Sequence, residues 1–300
     1  MMTAIDKRAI ITGITGYIGS NLVRTLIDSG WNVAGIIRQH SDTKIIDDIK
    51  DHLELCHYDG TVDSLTKFIG NFKPTIAFHL ASCFVAEHQS NQVTDLIQSN
   101  VLFGAHLLEA MTCAGIAKLV NTSTSWQHYH SEIYNPVCLY AATKEAFEKI
   151  VDFYVSARNF KVITLEIFDT YGPNDPRKKL INLFMRIAAS GEKLAMSPGE
   201  QELDLVYIDD VTAAFAKASE LLFSINIANE KYMVTTGKPE KLKNIAKMFE
   251  QVFKVDLNIE WGGREYRKRE VMKVWSNGAI LPEWCATYTL CAGLEKIVDD

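Results

Sequence analysis

The chain has 300 residues, 47% of them apolar and 23% charged, and 31 basic against 37 acidic side chains leave a formal net charge of -6. This is the composition of a soluble globular protein, long enough for one large α/β domain or one domain with a small lobe. The acidic balance excludes an ordinary nucleic-acid surface, which needs a basic excess, and no apolar run is long enough to make a membrane partner of the chain.

The opening stretch MMTAIDKRAIITG runs straight into a strand and lacks the apolar core of a signal peptide. The cysteines (Cys56, Cys83, Cys113, Cys138, Cys285, Cys291) form neither a C-x-x-C pair nor a metal-ligand spacing. Free thiols in a reducing cytoplasm are expected, with no metal.

Arg8–Thr12 reads as a buried strand, followed by glycines and a helix through YIGSNLVRTLIDS, with Gly30 as its C′ residue. Further strands are expected at Asn32–Ile37, Leu53–Tyr58, Thr75–Leu80, Lys118–Thr122 and Lys161–Ile167. Helical patterns separate them, the clearest over Thr94–Cys113 and Ala141–Ala157. Repeated β-α order implies a doubly wound parallel sheet with helices on both faces.

After Tyr171-Gly172-Pro173 the rhythm changes. A helix over Lys179–Ala189 and short strands at Leu194–Met196 and Leu203–Tyr207 lead to a helix over Val211–Leu222, which Asp209 and Asp210 would cap. A strand at Lys231–Thr235, a helix at Leu242–Phe253 and an irregular C-terminal end complete the expectation. The division is drawn at 1–172 and 173–300, a cofactor-binding domain and a smaller α/β substrate lobe, with allowance for the chain crossing back.

TGITGYIG sets Gly13, Gly16 and Gly19 between the first strand and the first helix, where backbone N–H groups favour an anion and glycine lets a pyrophosphate approach. The second strand ends in Ile37-Arg38-Gln39-His40, with no acidic residue before Asp42. An acidic residue there suits the ribose 2′-hydroxyl of NAD and an arginine the 2′-phosphate of NADP, so NADP(H) is favoured over NAD(H), with Arg38 as its partner.

Tyr140 and Lys144 lie one helical turn apart on one face. A neighbouring ammonium favours the phenolate, so the pair suits proton exchange with a carbonyl or hydroxyl. The run Asn121-Thr122-Ser123-Thr124-Ser125-Trp126 ends the fifth strand, where ligands of open α/β sheets bind and where a hydroxyl can support a developing oxyanion.

TGITGYIG, NTSTSWQHY, YAATK, YGPNDPR and DLVYIDDV, in this order, resemble the extended short-chain dehydrogenase/reductases of the NAD(P)-dependent epimerase/dehydratase family that act on nucleotide sugars. The resemblance implies a Rossmann-type α/β fold with a C-terminal substrate lobe and a homodimer formed through Thr94–Cys113 and Ala141–Ala157. It makes Tyr140 the general acid/base, Lys144 the ribose-binding residue that lowers the tyrosine's pKa, Ser125 the carbonyl partner (Thr124 and Ser123 behind it) and Asn100 the asparagine beneath the active site. Thr15, Tyr17 and Ile18 join the three glycines in the cofactor loop, Asp59-Gly60 matches the segment near the adenine, and Leu80-Ala81, after His79, lines the cofactor. Thr124, Trp126, Asp169, Arg177 and Arg267 are the substrate-side positions.

Dehydratases of this family carry Asp-Glu where this chain has Trp126-Gln127, and neither of those exchanges a proton usefully, which argues against elimination of water. The stretch TSTSWQHY to YAATKEAFE is similar to the CDP-abequose/CDP-paratose synthase type, reductases of 4-keto-3,6-dideoxyhexoses in O-antigen biosynthesis. Reduction of a nucleotide-linked 4-keto sugar by NADPH is the leading reading. An epimerase acting at C3, C5 or C4 stays open, with His128, Tyr129 or His130 as its extra base, as does a non-catalytic NADP-binding scaffold. Leu203 stands where the family grips the substrate diphosphate with arginine, and Asp169 where it has asparagine. Arg177, Lys178, Arg264 and Arg267 are the cations available to compensate.

Overall fold

The computed structural model describes residues 6–299. The chain divides into two compact units, the first made of the chain up to Thr124 with Cys138–Glu166 and Thr212–Tyr232, the second of Ser125–Val137, Ile167–Val211 and the chain from Met233 onward. The expected division at residue 172, with its allowance for crossing back, resolves into these alternating pieces.

In the first unit, strands β1 (Arg8–Thr12), β2 (Asn32–Arg38), β3 (Leu53–Tyr58), β4 (Ile76–His79), β5 (Lys118–Thr124) and β6 (Lys161–Ile167) lie in the order 6-5-4-1-2-3. The strand at Asn229–Val234, β11 of the chain, joins beside β6 to make seven. Pairings β1–β2, β2–β3, β1–β4 and β4–β5 are parallel. Apolar runs such as Ala9-Ile10-Ile11 are buried on both sides, as a parallel sheet covered on both faces requires.

Helices α1 (Tyr17–Asp28), α2 (Val62–Phe72), α3 (Val93–Ile97), α4 (Phe103–Cys113) and α5 (Leu139–Arg158) connect these strands. Gly30, at φ +78°, ends α1: its N–H bonds Ile27 O at 2.8 Å while Trp31 N bonds Leu26 O at 2.9 Å, a Schellman closure. On one sheet face Ile10, Ala77, Leu119 and Val162 pack with Leu65 and Phe72 of α2, Leu107 and Met111 of α4, and Phe147 and Val151 of α5. Two residues further along the same strands, the same face carries Thr12, His79, Asn121 and Thr164, all buried. The core is thus apolar at the amino ends of the strands and polar at the carboxyl ends.

The single helix expected over Thr94–Cys113 is interrupted. Gln98–Leu102 forms a π-helical turn between α3 and α4. Asn100 sits in this turn, fully buried, and its side chain bonds explain why the wider turn is held (below).

The second unit contains short strand pairs. β7 (Asp169–Tyr171) runs parallel to β10 (Leu205–Tyr207), β8 (Leu194–Met196) parallel to β13 (Ile259–Trp261), and β9 (Glu202–Leu203) antiparallel to β12 (Glu240–Lys241). The one strand expected over Leu203–Tyr207 is broken at Asp204. Its buried carboxylate accepts from Thr236 Oγ1 at 2.7 Å and Thr236 N at 3.1 Å, and also from Thr235 Oγ1.

Helices α6 (Leu180–Ser190), α8 (Leu242–Phe253) and α9 (Leu290–Asp299) belong to this unit, and α7 (Ile208–Ser224) begins in it. The expected irregular C-terminal end describes most of residues 262–289 and is corrected at its close, where α9 forms. Nor do Asp209 and Asp210 cap a helix at Val211: α7 starts at Ile208, and both lie in its first turn. Asp210 instead accepts from Thr287 N at 3.0 Å, Thr287 Oγ1 at 2.7 Å and Tyr288 N at 3.0 Å, anchoring the segment that leads into α9.

Candidate active site

The glycine loop is a tight staple between β1, α1 and the end of β4. Gly13 has φ +73°, and a Cβ there would lie 2.6 Å from Ala81 N and 2.8 Å from the Leu80 carbonyl carbon. A Cβ on Gly19 would run into the Gly13 carbonyl. Gly16 N–H closes the loop onto Gly13 O at 2.9 Å. Thr12 Oγ1 accepts from Leu80 N at 3.2 Å and Ala81 N at 3.1 Å, fixing Leu80 and Ala81 beside the glycines.

Helix α1 opens on Gly16, which brings no side-chain acceptor to the helix start. The N-terminus of α1, at Tyr17, Ile18 and Gly19 after the half-buried Thr15, thus fits a pyrophosphate. Arg38 is exposed at the end of β2, where its N–H bonds Ser41 Oγ at 3.0 Å. Burial and Asp95 push the thiol of Cys83, in the loop after β4, up, and Arg38 is close enough to oppose them. Asp59 Oδ1 accepts from Ser64 Oγ at 2.6 Å, Thr61 Oγ1 at 2.8 Å and Thr61 N at 2.9 Å, which holds its carboxyl below the usual range. With Gly60 at φ +96° it shapes the turn into α2.

Tyr140 lies in the first turn of α5 with its ring edge-on to Phe84, centroids 5.0 Å apart. Lys144, one turn on, is 1% exposed. Burial pulls its ammonium down to about 8, and Glu148 works in the opposite direction. Asn100 clamps the surroundings: Oδ1 accepts from Cys83 N at 2.7 Å, and Nδ2 donates to Cys83 O at 3.0 Å and Thr143 Oγ1 at 2.9 Å. Thr143 in turn donates to Tyr140 O at 2.7 Å. The geometry makes Asn100 a brace between the loop after β4 and the start of α5.

His79 completes this cluster. Thr12 Oγ1 and His79 Nδ1 are hydrogen-bonded at 2.8 Å, tying the ends of β1 and β4 together. Burial, then the nearby charge of Lys144, lower His79 to about 3, so the ring is neutral. Its Nε2 and the Oδ1 of Asn121, its register partner on β5, are both buried without a hydrogen-bond partner.

The structure thus gathers the glycine loop, Leu80, Ala81, Asn100, Tyr140 and Lys144 in the first unit, where Thr124 ends β5 at 7% exposure. Ser123 is turned toward α5 and hydrogen-bonds Glu148. Ser125, Trp126, Asp169, Arg177 and Arg267 lie in the second unit. There Ser125, Trp126 and Asp169 line one cavity with Phe168, Leu203, Val274 and Trp275.

The cations named from sequence are differently placed. Arg177 forms a two-pronged bond with Asp175, at 2.8 and 2.7 Å, and reaches Thr170 O at 2.9 Å, bracing its own loop. Arg267 is exposed, and its backbone N–H meets Glu270 Oε2 at 3.2 Å. Lys179, which sequence reasoning passed over, pairs with Asp169 at 3.2 Å. Arg269, also missed, stacks over Tyr129 with its guanidinium carbon 4.2 Å from the ring centroid and bonds Asn135. His128 stacks on Trp275 at 4.1 Å and donates from Nδ1 to Glu132 O at 3.0 Å. Glu148 was missed as well, although Tyr140, Lys144 and Glu148 repeat at a helical four-residue spacing that was open to reading.

A parallel sheet with a glycine loop after its first strand and a tyrosine–lysine pair at the start of α5 defines the class, and the family model agrees. Residues 9–229 match the NAD dependent epimerase/dehydratase family, and the chain belongs to it. It is 28% identical to a CDP-abequose synthase of Yersinia pseudotuberculosis over 88% of this chain and 90% of that protein. It is also 28% identical to a UDP-glucose 4-epimerase of Mycolicibacterium smegmatis over 70% of this chain and 72% of that one. Among solved structures, the UDP-glucuronic acid 4-epimerase of Bacillus cereus, in complex with UDP-glucuronic acid and NAD, superposes with a TM-score of 0.85 at 22% identity, covering 97% of this chain and 98% of that one.

Proposed function

We propose that this protein reduces the C4 keto group of a nucleotide-linked 4-keto-6-deoxy or 3,6-dideoxy hexose, CDP-linked in the first instance, with NADPH as reductant. The observation that carries the reading is Lys144, a buried ammonium one turn below Tyr140 on α5. A bound NADPH would supply hydride to C4. Ser125 Oγ and the Tyr140 hydroxyl polarise the ketone oxygen, Tyr140 donates its proton to the forming alkoxide, and Lys144 stabilises the phenolate left behind.

Gln127 is fully buried and Trp126 is an indole, so neither position beside Ser125 can serve the acid–base steps of a dehydratase. The cavity beside Ser125 is lined by Phe168, Leu203, Val274 and Trp275 together with His128, Asp169, Glu202 and Asp204. The relatedness to CDP-abequose synthase supports the CDP-linked substrate. Arg38, exposed at the end of β2, supports NADPH, with Asp59 and Gly60 toward the adenine side. Lys179 and Arg269 join Arg177 and Arg267 as the cations for the diphosphate in the absence of an arginine at 203.

The test is NADPH oxidation with CDP-, dTDP-, GDP- and UDP-linked 4-keto-6-deoxy sugars. Turnover with one of them and no solvent deuterium entering the sugar without NADPH is the expected result. Deuterium incorporation without NADPH oxidation would make the protein a C3 or C5 epimerase, and interconversion at C4 with retained NAD a 4-epimerase. Binding of NADP with no turnover on any member of the panel would leave the scaffold. The Arg38→Ala variant should lose most of its preference for NADPH over NADH, and an unchanged ratio of KM values would sink the assignment.

We infer a homodimer from the apolar side chains that α3, the π turn and α5 leave exposed: Val93, Ile97, Leu102 and Phe153 at 37, 43, 46 and 55%. Light scattering after gel filtration should give twice the 33.7 kDa chain mass, and Phe153→Glu should shift it toward the monomer.

A further inference from the structure

Three carboxylates line the cavity beside Ser125: Asp169, Glu202 and Asp204. Two of them are occupied within the protein. Asp169 is paired with Lys179 at 3.2 Å. Asp204 is buried and takes its hydrogen bonds from Thr235, Thr236 and the N–H of Gly237. The aromatic wall is engaged as well. His128 bonds Glu132 O at 3.0 Å and stacks on Trp275, whose Nε1 is buried beside Gly278.

Glu202 is different. It is half-buried on β9, where its N–H bonds Met272 O at 3.1 Å and its strand is paired with Glu240–Lys241 of β12. Its carboxylate makes no hydrogen bond or ion pair among the described residues. Lys241, its partner in register, feels its charge but bonds Glu200, at 2.9 Å. The Ser125 hydroxyl is likewise without a hydrogen bond among the described residues.

These two groups line one cavity and are complementary in kind. A hydroxyl can donate a proton to a ketone oxygen, whereas a carboxylate can only accept. An acceptor and a donor on adjacent carbons are what an α-hydroxyketone presents. With the C4 ketone on Ser125, the neighbouring ring carbons are C3 and C5. In a 6-deoxy hexose C5 carries the methyl group and the ring oxygen, so the adjacent donor is a hydroxyl at C3.

We propose that Glu202 is a specificity-determining residue that accepts a hydrogen bond from the C3 hydroxyl, so that the substrate is a 4-keto-6-deoxy hexose that keeps this hydroxyl and not its 3-deoxy counterpart. A 3-hydroxy sugar held at Ser125 pairs the carboxylate. A 3-deoxy sugar covers it with C–H and takes away its water without returning a hydrogen bond. The inference narrows the two sugars of the proposed reaction to one, and it rests on the reading of this cavity as the place where the ketone is held.

The experiment compares NADPH oxidation with a CDP-linked 4-keto-6-deoxy hexose and with its 3-deoxy analogue, in the wild type, Glu202→Leu and Glu202→Gln. The wild type should favour the 3-hydroxy sugar by about 10- to 100-fold in kcat/KM, the worth of a hydrogen bond to a charged group. Glu202→Leu should remove that preference, chiefly by raising KM for the 3-hydroxy sugar. Glu202→Gln should fall between, since its amide oxygen still accepts. A merely structural role would depress both sugars alike and leave their ratio as it was. A ratio that is the same in the wild type and Glu202→Leu, or a wild type that favours the 3-deoxy sugar, overturns the proposal.

If Glu202→Leu does not fold, the intermediate ratio of Glu202→Gln decides. Calorimetric binding of CDP-linked 6-deoxy and 3,6-dideoxy hexoses reads the same discrimination without turnover. A ratio that depends on Glu202 while no NADPH is oxidised upholds the role of Glu202 and refutes the reduction instead. Binding of neither sugar, or of both alike, overturns the proposal.

Discussion

Lys144 concentrates the conflict between stability and chemistry in one side chain. A lysine in water titrates near 10.5, and burial lowers this one to about 8. The unfolded chain therefore binds the extra proton between pH 8 and 10.5, and the cost of burying the charge is present in full below 8 and is relieved as pH rises through that window. At neutral pH the cost is on the order of 3 kcal/mol. Lys144→Met should accordingly raise the Tm of the cofactor-free protein by a few degrees while abolishing turnover, and a clear drop in Tm would count against a buried charge. Tyr140→Phe should lose kcat ~100- to 10,000-fold with NADPH affinity little changed, and retained turnover would remove Tyr140 from the proton step. The Tyr140–Lys144 spacing was legible in the sequence because i and i+4 share a helical face. The third member of that series, Glu148, was equally regular but meaningless until β5 and β11 brought Ser123 and Lys231 against it.

At the scale of elements, the strands of the parallel sheet were legible because their apolar runs are long enough to be buried on both sides. Where burial depends on a distant partner, the pattern misled. The helix over Thr94–Cys113 has continuous helical periodicity, and only the bonds of Asn100 to Cys83 and Thr143 open it into a π turn. Asp204 and Asp210 looked like a strand residue and a cap, because nothing local indicates that Thr235–Gly237 and Thr287–Tyr288 bring N–H and hydroxyl donors to them. Asp210→Ala would leave two backbone N–H groups and a hydroxyl without their acceptor. It should cost about 3 kcal/mol and speed amide hydrogen exchange across residues 284–299 more than across α1. Uniform exchange along the chain would show that Asp210 is no local anchor.

For the whole molecule, acid stability follows from the buried layer. His79 is held neutral at about 3, against 6.5 for an exposed histidine. Its folded-state value is depressed, so the stability it contributes is complete above pH 6.5 and drains away as pH falls toward 3, by up to about 1.4 kcal/mol per pH unit. Urea titrations between pH 7 and 4.5 should show His79→Gln losing less stability than the wild type over that range, and parallel losses would contradict the assignment. By itself the sequence determined the parallel α/β order, the glycine loop, the Tyr140–Lys144 pair and the family, because each is encoded by spacing within a single turn, strand or motif. Tertiary structure alone decided that Ser123 bonds Glu148, that Arg177 braces its own loop, that Lys179 meets Asp169 and that the chain closes in a helix over Leu290–Asp299. Those outcomes depend on which distant donors and charges folding delivers to a residue, and chain order carries no measure of that distance.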